Sequence, residues 1–110
     1  MEHKTIKVAV VGAGTMGHGI AQVFAKKGHQ VALYDLSREI LERAFGRIRE
    51  NLRVLSEAGL FEPKETERLL ARIQPITDLA EGLEGSSFVI EAIPENLEAK
   101  QVFFAEADRH

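Results

Sequence analysis

The stretch VAVVGAGTMG, from Val8 to Gly17, decides the fold of this chain. Its first four residues are apolar and largely β-branched, as in a strand that is buried on both faces of a parallel sheet. Three glycines follow in the spacing Gly12-x-Gly14-x-x-Gly17. That spacing is typical of the turn that joins a strand to a helix where a dinucleotide binds, with its diphosphate against free backbone N–H groups.

A second apolar run, Val31 to Tyr34, is closed by Asp35, 18 residues after Gly17. A carboxylate at the end of a second strand can accept hydrogen bonds from the adenosine ribose, and its charge would repel a 2′-phosphate. This position therefore favours NAD over NADP. Ser37 and Arg38 can soften that preference, because an arginine there can neutralise the phosphate. The structural alternative for Asp35 is a turn or helix-capping residue.

The main alternative ligand is S-adenosylmethionine. Sheets of the methyltransferase type also place a glycine loop after the first strand and an acid after the second. The third glycine, Gly17, favours a dinucleotide, because it allows the helix to pack closely on the strand beneath a pyrophosphate. A tight strand–helix junction that binds no ligand is the structural alternative for all three glycines.

The periodicity of the first half predicts a strand–helix–strand unit. Its bounds are Thr5–Val11, Thr15–Lys27 and Gln30–Asp35. Gly28 suits the left-handed residue that ends the helix. Three apolar residues of that helix, Ile20, Val23 and Phe24, are expected to face the sheet.

A long helix is predicted next, with Ser37 as its cap and its end before Gly59. Its apolar residues form one stripe: Leu41, Ala44, Ile48, Leu52 and Leu55. Pro63 suits the first turn of another helix, which carries Leu69, Leu70 and Ile73. The two helices form a hairpin inserted between the second and third strands.

The remaining elements complete an α/β sheet. We predict a strand near Gln74–Thr77, a loop at Gly82, Gly85, Ser86 and Ser87, a strand over Phe88–Ile93 stopped by Pro94, and a last helix from Glu95 or Asn96. Right-handed crossovers give strand order 3-2-1-4. The fold class is therefore a Rossmann-type, doubly wound, mostly parallel sheet, with its ligand crevice where the winding reverses.

Composition excludes several kinds of function. The chain has 110 residues, a net charge of −3 and no cysteine, which indicates one domain without disulfides or thiolate metal ligands. Acids and bases are interleaved, so neither nucleic acid nor a membrane surface is an expected partner. Apolar runs are too short to span a bilayer, and no signal-peptide pattern is present, so a cytoplasmic location is expected.

At this point the sequence resembles a known family. Gly12–Gln22 (GAGTMGHGIAQ), Val31–Asp35 (VALYD) and Phe88–Lys100 (FVIEAIPENLEAK) are similar to the N-terminal NAD-binding domain of L-3-hydroxyacyl-CoA dehydrogenases, with 3-hydroxybutyryl-CoA dehydrogenases as the nearest type. The similarity covers essentially residues 1–110. The Glu-Asn-Leu-x-x-Lys segment is its most specific part, because generic dinucleotide-binding domains lack it.

The resemblance implies that the cofactor is NAD and gives the site residues roles. The pyrophosphate would lie on Gly12, Ala13, Gly14, Thr15, Met16 and Gly17. Asp35, with Leu36 beside it, would hold the adenosine ribose. Ala92 and Ile93 would line the cofactor trough, and Glu95 and Lys100 would contact the ribose and nicotinamide side. The structural alternative for that last pair is a first-turn acid and a solvated lysine on a helix.

The family oxidises the 3-hydroxyl of an acyl-CoA in fatty-acid metabolism, including β-oxidation. Its catalytic His–Glu pair lies beyond the segment that matches residues 1–110, so no catalytic residue and no metal ligand is assigned here. None of the four histidines, His3, His18, His29 and His110, has an acid at a spacing that would make it a general base. His18 is interpreted as an ordinary polar position. We expect an NAD-binding domain that is inactive by itself, without the family's C-terminal catalytic and dimerisation domain.

Acyl-CoA is the implied substrate. Basic residues of the hairpin could meet its phosphates, or could simply form a solvated face: Arg38, Arg43, Arg47, Arg53 and Lys64. Two other functions stay open, namely the NAD-binding part of another 3-hydroxy-acid dehydrogenase and a non-catalytic dinucleotide-binding module. Without the strands that follow in the family, Phe88–Ile93 would be an exposed edge, so we expect self-association there or coverage by the C-terminal helix.

Overall fold

The structure, a computed structural model, describes residues 5–93 and 98–102, with residues 93 and 98–102 described by their backbone alone. Its strands are β1 Lys7–Val11, β2 Gln30–Tyr34, β3 Ile73–Ile76, β4 Phe88–Ile93 and β5 Glu98–Val102. Its helices are α1 Thr15–Lys26, α2 Arg38–Glu57, α3 Thr66–Ala71 and α4 Leu79–Leu83, and a 3-10 helix covers Pro63–Glu65. The strand order is β3-β2-β1-β4-β5. The predicted Rossmann-type α/β class and the order 3-2-1-4 are confirmed.

Strand β1 lies at the centre of the sheet because both of its faces are apolar. Val8 and Val10 are completely buried, and β1 pairs in parallel with β2 and with β4. In the register, Val8 faces Val31 on one side and Phe88 on the other. The winding therefore reverses between β1 and β4, which places the ligand crevice at the carboxyl ends of these strands.

Helix α1 follows β1 as predicted and packs through its smallest residues. Gly17, Ala21 and Ala25 are buried, so the helix axis lies close to the sheet. Val23, predicted to face the sheet, is 53% exposed. That prediction is wrong because the contact face of α1 is set by residues without bulk, which an apolar-stripe reading overlooks. Gly28 ends the unit at φ +96°, the left-handed geometry predicted for it.

The hairpin of α2 and α3 is confirmed, with one correction. Ser37 caps α2, since its side-chain oxygen accepts a hydrogen bond from the Ile40 N–H at 3.2 Å. The predicted stripe of α2 is buried at Leu41, Ala44, Ile48 and Leu52, with Leu55 packed partly buried against it. Ile73, assigned to the second helix from the sequence, instead begins β3. Helix α3 therefore ends earlier than predicted, with Arg72 as its C-cap residue directly before β3.

The segment between β3 and β4 contains a helix that the sequence reading took for a loop. Asp78 caps α4, and its Oδ1 accepts from the Glu81 N–H at 3.3 Å. Gly82 belongs to this helix and is buried against Ile76. Glycine was interpreted as a turn signal there, but it lies within the helix, where a Cβ would approach Ile76 Cγ2 at 3.3 Å, so glycine allows close helix–sheet packing. The side chain of Ser86 then donates to the Gly82 carbonyl at 3.1 Å, which ties the end of α4 to its own turn.

The predicted C-terminal helix is wrong where the structure describes this segment. Residues 98–102 form β5, which pairs antiparallel with β4, while the predicted start at Glu95 or Asn96 lies outside the described residues. The physical reason is the free edge of β4, whose unpaired N–H and C=O groups gain hydrogen bonds from a returning strand. Coverage of β4 is thus provided by a strand rather than by a helix.

Among the residues that the structure describes, no helix is both long enough and apolar enough to cross a bilayer.

Candidate functional site

The loop from Gly12 to Gly17, called the glycine loop below, is held by contacts that only glycine allows. Gly12 has φ +104°, and its N–H donates to the Tyr34 carbonyl at 2.8 Å. A Cβ on Gly12 would collide with the Ala92 carbonyl oxygen of β4. The chain therefore turns sharply after β1 while remaining in contact with both neighbouring strands.

Gly17 closes the glycine loop from the other side. A Cβ on this residue would overlap the carbonyl oxygen of Gly12 and approach Ala92 Cβ at 3.7 Å. The first turn of α1 thus packs directly on the turn that precedes it. This is the contact for which the third glycine was assigned from the sequence.

The N-terminus of α1 carries no side-chain cap. Gly14 is the N-cap residue, with no side-chain hydrogen bond, and the first turn of the helix holds no acidic residue. The N–H groups of the first turn are therefore not bound by a side-chain cap, and the positive end of the helix dipole is not neutralised by the helix itself. This backbone donor set fits a diphosphate, as predicted for Thr15, Met16 and Gly17.

Asp35 joins the glycine loop to the turn after β2. Its Oδ2 accepts from the Ala13 N–H at 3.0 Å, and its Oδ1 accepts from the Ser37 N–H at 3.0 Å. A carboxylate has about four lone-pair sites, so two remain for ribose hydroxyls. The side chain is half-buried. The sequence left two roles open for Asp35, as a turn residue and as a ligand of the ribose. The structure shows the turn role, and its geometry leaves room for the ribose role.

A groove of about 270 Å³ lies at the carboxyl ends of β1, β2 and β4. It is lined by Val11, Gly12, Tyr34, Asp35, Leu36, Glu91 and Ala92. It therefore brings together the glycine loop, the predicted ribose-binding acid and the end of β4, at the crevice expected from the strand order. Leu36 is largely exposed at its rim, whereas Ala92 is buried at its floor.

Glu91 is a groove residue that the sequence reading missed. It precedes Ala92 in β4 and stands opposite Val11 in the register with β1. The available signal was an acidic residue within an otherwise apolar strand, two places before the strand ends at Ile93. The groove thus has one carboxylate from β2 and another from β4, which makes it unfavourable for additional negative charge.

The remaining predicted residues lie after the groove along the chain. Ile93 is the last residue of β4. Lys100 lies in β5, where its Cα is the register partner of Glu91, and not on a helix face as the sequence reading assumed. Glu95 lies outside the described residues. The prediction that Glu95 and Lys100 share one helix is therefore wrong, because Lys100 lies in a strand.

His18 contacts the glycine loop through the carbonyl group of Gly14. It is buried, and its Nδ1 lies 3.0 Å from the Gly14 carbonyl oxygen, which also accepts from the His18 backbone N–H. A proton on Nδ1 makes this a second hydrogen bond to the same peptide group. Among the described residues no cluster of three or more potential metal ligands occurs.

Charges on the hairpin are largely paired. Arg43 contacts Glu39 at 3.4 Å, and Arg49 contacts Glu67 at 2.6 Å. Arg53 bonds Glu50, and that hydrogen bond, followed by the arginine charge, holds the pKa of Glu50 below its usual value. Of the cations considered for CoA, Arg43 and Arg53 are thus already neutralised by carboxylates.

Comparison with known proteins places this geometry in a family. The sequence profile of the "3-hydroxyacyl-CoA dehydrogenase, NAD binding domain" matches residues 7–110. The 3-hydroxyadipyl-CoA dehydrogenase of Escherichia coli K12 is 46% identical over 99 residues, covering 90% of this chain and 21% of that protein. The mitochondrial hydroxyacyl-coenzyme A dehydrogenase of Sus scrofa is 39% identical over 107 residues, covering 93% and 34%.

A solved structure agrees with the sequence comparisons. The 3-hydroxybutyryl-CoA dehydrogenase of Escherichia coli K12 superimposes with a TM-score of 0.73 at 44% identity, covering 81% of this chain and 19% of that one. The chain thus spans no more than about a third of the curated relatives named above. NAD, rather than S-adenosylmethionine, is its cofactor. The chain belongs to the 3-hydroxyacyl-CoA dehydrogenase family and forms its NAD-binding domain.

Proposed function

We propose that this chain is the NAD-binding part of a dehydrogenase that oxidises the 3-hydroxyl of an L-3-hydroxyacyl-CoA to a ketone. The observation that carries the proposal is the convergence of the uncapped α1 N-terminus, Asp35 and the end of β4 on one groove. The names of its relatives support the acyl-CoA substrate. Fatty-acid metabolism, including β-oxidation, and a cytoplasmic location complete the proposal.

In this proposal the chain's own residues bind and orient the cofactor. The N–H groups of Thr15 and Met16 hold the pyrophosphate, and the free lone pairs of Asp35 accept from the adenosine ribose. Ala92 and Ile93 border the trough toward the nicotinamide, where Glu95 and Lys100 contribute their polar groups. When bound, NAD accepts the hydride that leaves the substrate carbon.

Proton transfer from the substrate hydroxyl is assigned to residues outside this chain. Among the described residues the buried histidine, His18, bonds a backbone carbonyl and not a carboxylate. The family's His–Glu pair would therefore be supplied by a further domain, which also closes the active site. The domain assignment follows: residues 1–110 bind NAD, and catalysis and dimerisation reside elsewhere.

Calorimetric titration of the chain with NAD, NADP and S-adenosylmethionine tests the binding part of the proposal. We expect NAD to bind more tightly than NADP, and S-adenosylmethionine to show no measurable heat of binding. Gly46→Ala is a matched control, since a Cβ there meets nothing within 4 Å and the residue does not line the groove. Preferential binding of S-adenosylmethionine would contradict the proposal.

Turnover tests the substrate part. The chain alone should not reduce NAD in the presence of L-3-hydroxybutyryl-CoA. The protein expressed from the complete reading frame that contains this chain should reduce it. Replacing the CoA ester by free 3-hydroxybutyrate separates the proposal from a 3-hydroxy-acid dehydrogenase. Faster turnover of the free acid would contradict the acyl-CoA assignment without affecting the NAD assignment.

A further inference from the structure

A second recess, which shares no lining residue with the groove, lies between the glycine loop and the first turns of α2. Its volume is about 180 Å³, and it is lined by Ala13, Gly14, Thr15, Ile40, Arg43, Ala44 and Arg47. Helix α2 thus brings two guanidinium groups beside the backbone that receives the diphosphate. From the sequence, Arg38 of α2 was considered for a 2′-phosphate, but no residue of α2 was assigned a contact with the pyrophosphate.

Arg47 differs from its neighbours in what it contacts. Its Nη1 lies 3.4 Å from the Thr15 hydroxyl, on the first residue of α1. Within the described part of the chain no carboxylate lies within 4.0 Å of this guanidinium, whereas Arg43 and Arg49 each have one and Arg53 has two. Arg47 is therefore a cation beside the diphosphate cradle that the described carboxylates leave uncompensated.

The charge balance around the glycine loop indicates what this cation does. The cradle itself consists of neutral backbone groups, and the walls of the groove carry Asp35 and Glu91. A dinucleotide adds two negative charges from its pyrophosphate. Without a cation nearby, the dianion would be held by N–H dipoles alone against two carboxylates, which is unfavourable in a partly desolvated site.

We propose that Arg47 is a further contact for the cofactor, exchanging the Thr15 hydroxyl for an oxygen of the NAD pyrophosphate. A guanidinium is suited to this because it presents paired N–H donors to phosphate oxygens. The proposal rests on the function proposed above, since it requires NAD to lie on the glycine loop. The proposal gives Arg47 a different role from the other cations that were considered for CoA. Arg47 contacts α1, whereas Arg53, for example, pairs with Glu50 and Glu57 of its own helix.

Arg47→Gln removes the charge and keeps a polar, helix-compatible side chain. Titration with NAD and with ADP should give binding about three- to tenfold weaker than for the unmodified chain, as for an exposed charged contact. Adenosine, which lacks phosphate, should bind with unchanged affinity. Arg47→Lys should recover part of the loss, and the salt dependence of NAD binding should be shallower in Arg47→Gln.

Arg49→Gln is the matched control. It removes the same charge from the same helix, but at a side chain bound to Glu67 of the neighbouring helix, so NAD affinity should not change beyond about twofold. Thermal unfolding of both variants should show that each is folded.

Three results would overturn the proposal. Unchanged NAD affinity in Arg47→Gln, or an equal loss for adenosine, would show that Arg47 does not contact phosphate. A larger loss for 2′,5′-ADP than for ADP would assign Arg47 to a 2′-phosphate instead. Failure of the unmodified chain to bind NAD would contradict the proposed function itself, so the two failures are distinguishable.

Discussion

The two walls of the groove are built in different ways. The wall formed by β1, α1 and β2 consists of backbone contacts so close that a side chain cannot enter, as at Gly12 and Gly17. The wall formed by β4 depends on what lies beyond it, because β4 has an unpaired edge until β5 joins it. The first wall is therefore determined locally by residue type, whereas the second is determined by the chain available to complete the sheet.

Substitution of Gly17, in the first wall, should have the largest effect on stability and on NAD binding. In Gly17→Ala, the new Cβ overlaps a backbone oxygen, that of Gly12, which cannot move without opening the turn. We expect a loss of about 3 kcal/mol or more in the free energy of unfolding, together with loss of NAD binding. Urea unfolding and calorimetry measure the two effects.

The control lies two residues further along the same helix. A Cβ on Gly19 meets nothing within 4 Å, so Gly19→Ala should be neutral or should stabilise α1 by up to about 1 kcal/mol. NAD binding should be retained. Equal destabilisation by both substitutions would show that α1 is sensitive to alanine in general and would remove the special role of Gly17.

Substitution of Asp35 tests how strongly the wall formed by β1, α1 and β2 depends on a side chain. Asp35→Ala leaves the N–H groups of Ala13 and Ser37 without their carboxylate acceptor, and we expect a loss of about 2 kcal/mol in stability. NAD affinity should fall at least about tenfold, because ribose contacts are lost as well. The same urea and calorimetric measurements apply.

Asp35→Asn refines this result because it keeps one acceptor oxygen. It should restore part of the stability lost in Asp35→Ala while still weakening NAD binding, since one amide N–H2 now faces a backbone N–H. If Asp35→Ala were as stable as the unmodified chain, the bridge from the glycine loop to the α2 turn would have no structural importance.

The contrast between the walls explains which parts of the fold could be predicted from the sequence. A glycine triplet after an apolar strand has few physical solutions, so β1, α1 and the end of β2 were predicted within a residue or two. Ser37 was likewise predicted as a cap because its hydrogen bond is local. The site residues Gly12 to Gly17 and Asp35 lie within these local patterns.

Features that depend on tertiary contact could not be read in this way. Gly82 signals a loop in the sequence but lies in a helix, where the absence of a side chain allows close packing against Ile76. Glu91 reads as an interruption of an apolar strand, and only the meeting of three strand ends shows that it lines the groove. The Arg47 position beside Thr15 required the crossing of α1 and α2.

The β4 wall can be tested by proline substitution in β5. The backbone N–H groups of successive strand residues point to opposite sides, so one of Lys100→Pro and Gln101→Pro removes a hydrogen bond of the ladder with β4, and the other replaces an N–H that points away from β4. The disruptive variant should lose about 1 kcal/mol in stability and should associate at high concentration through the freed β4 edge. Urea unfolding and light scattering report the two effects.

The harmless variant of the pair serves as the control for proline itself. Nuclear Overhauser contacts between the backbones of Ala92 and Ala99, which are register partners, should persist in it and disappear in the other. If neither proline has an effect and residues 98–102 of the unmodified chain show helical chemical shifts, the strand pairing would be contradicted and the helix predicted from the sequence would be restored.

The smallest expected effect concerns the second carboxylate of the groove. Glu91 on β4 and Asp35, the residue after β2, line the same cavity, so both oppose an added 2′-phosphate, and Asp35 is in addition bonded to the glycine loop. Glu91→Gln should raise NADP affinity relative to NAD by about two- to threefold, because Coulomb repulsion in an open, hydrated groove is weak. Asp35→Asn should raise the ratio further, since its charge also lies at the ribose. Competitive titration of the two dinucleotides measures both ratios, and a larger change from Glu91→Gln than from Asp35→Asn would show that the β4 wall, and not the β2 wall, selects the cofactor.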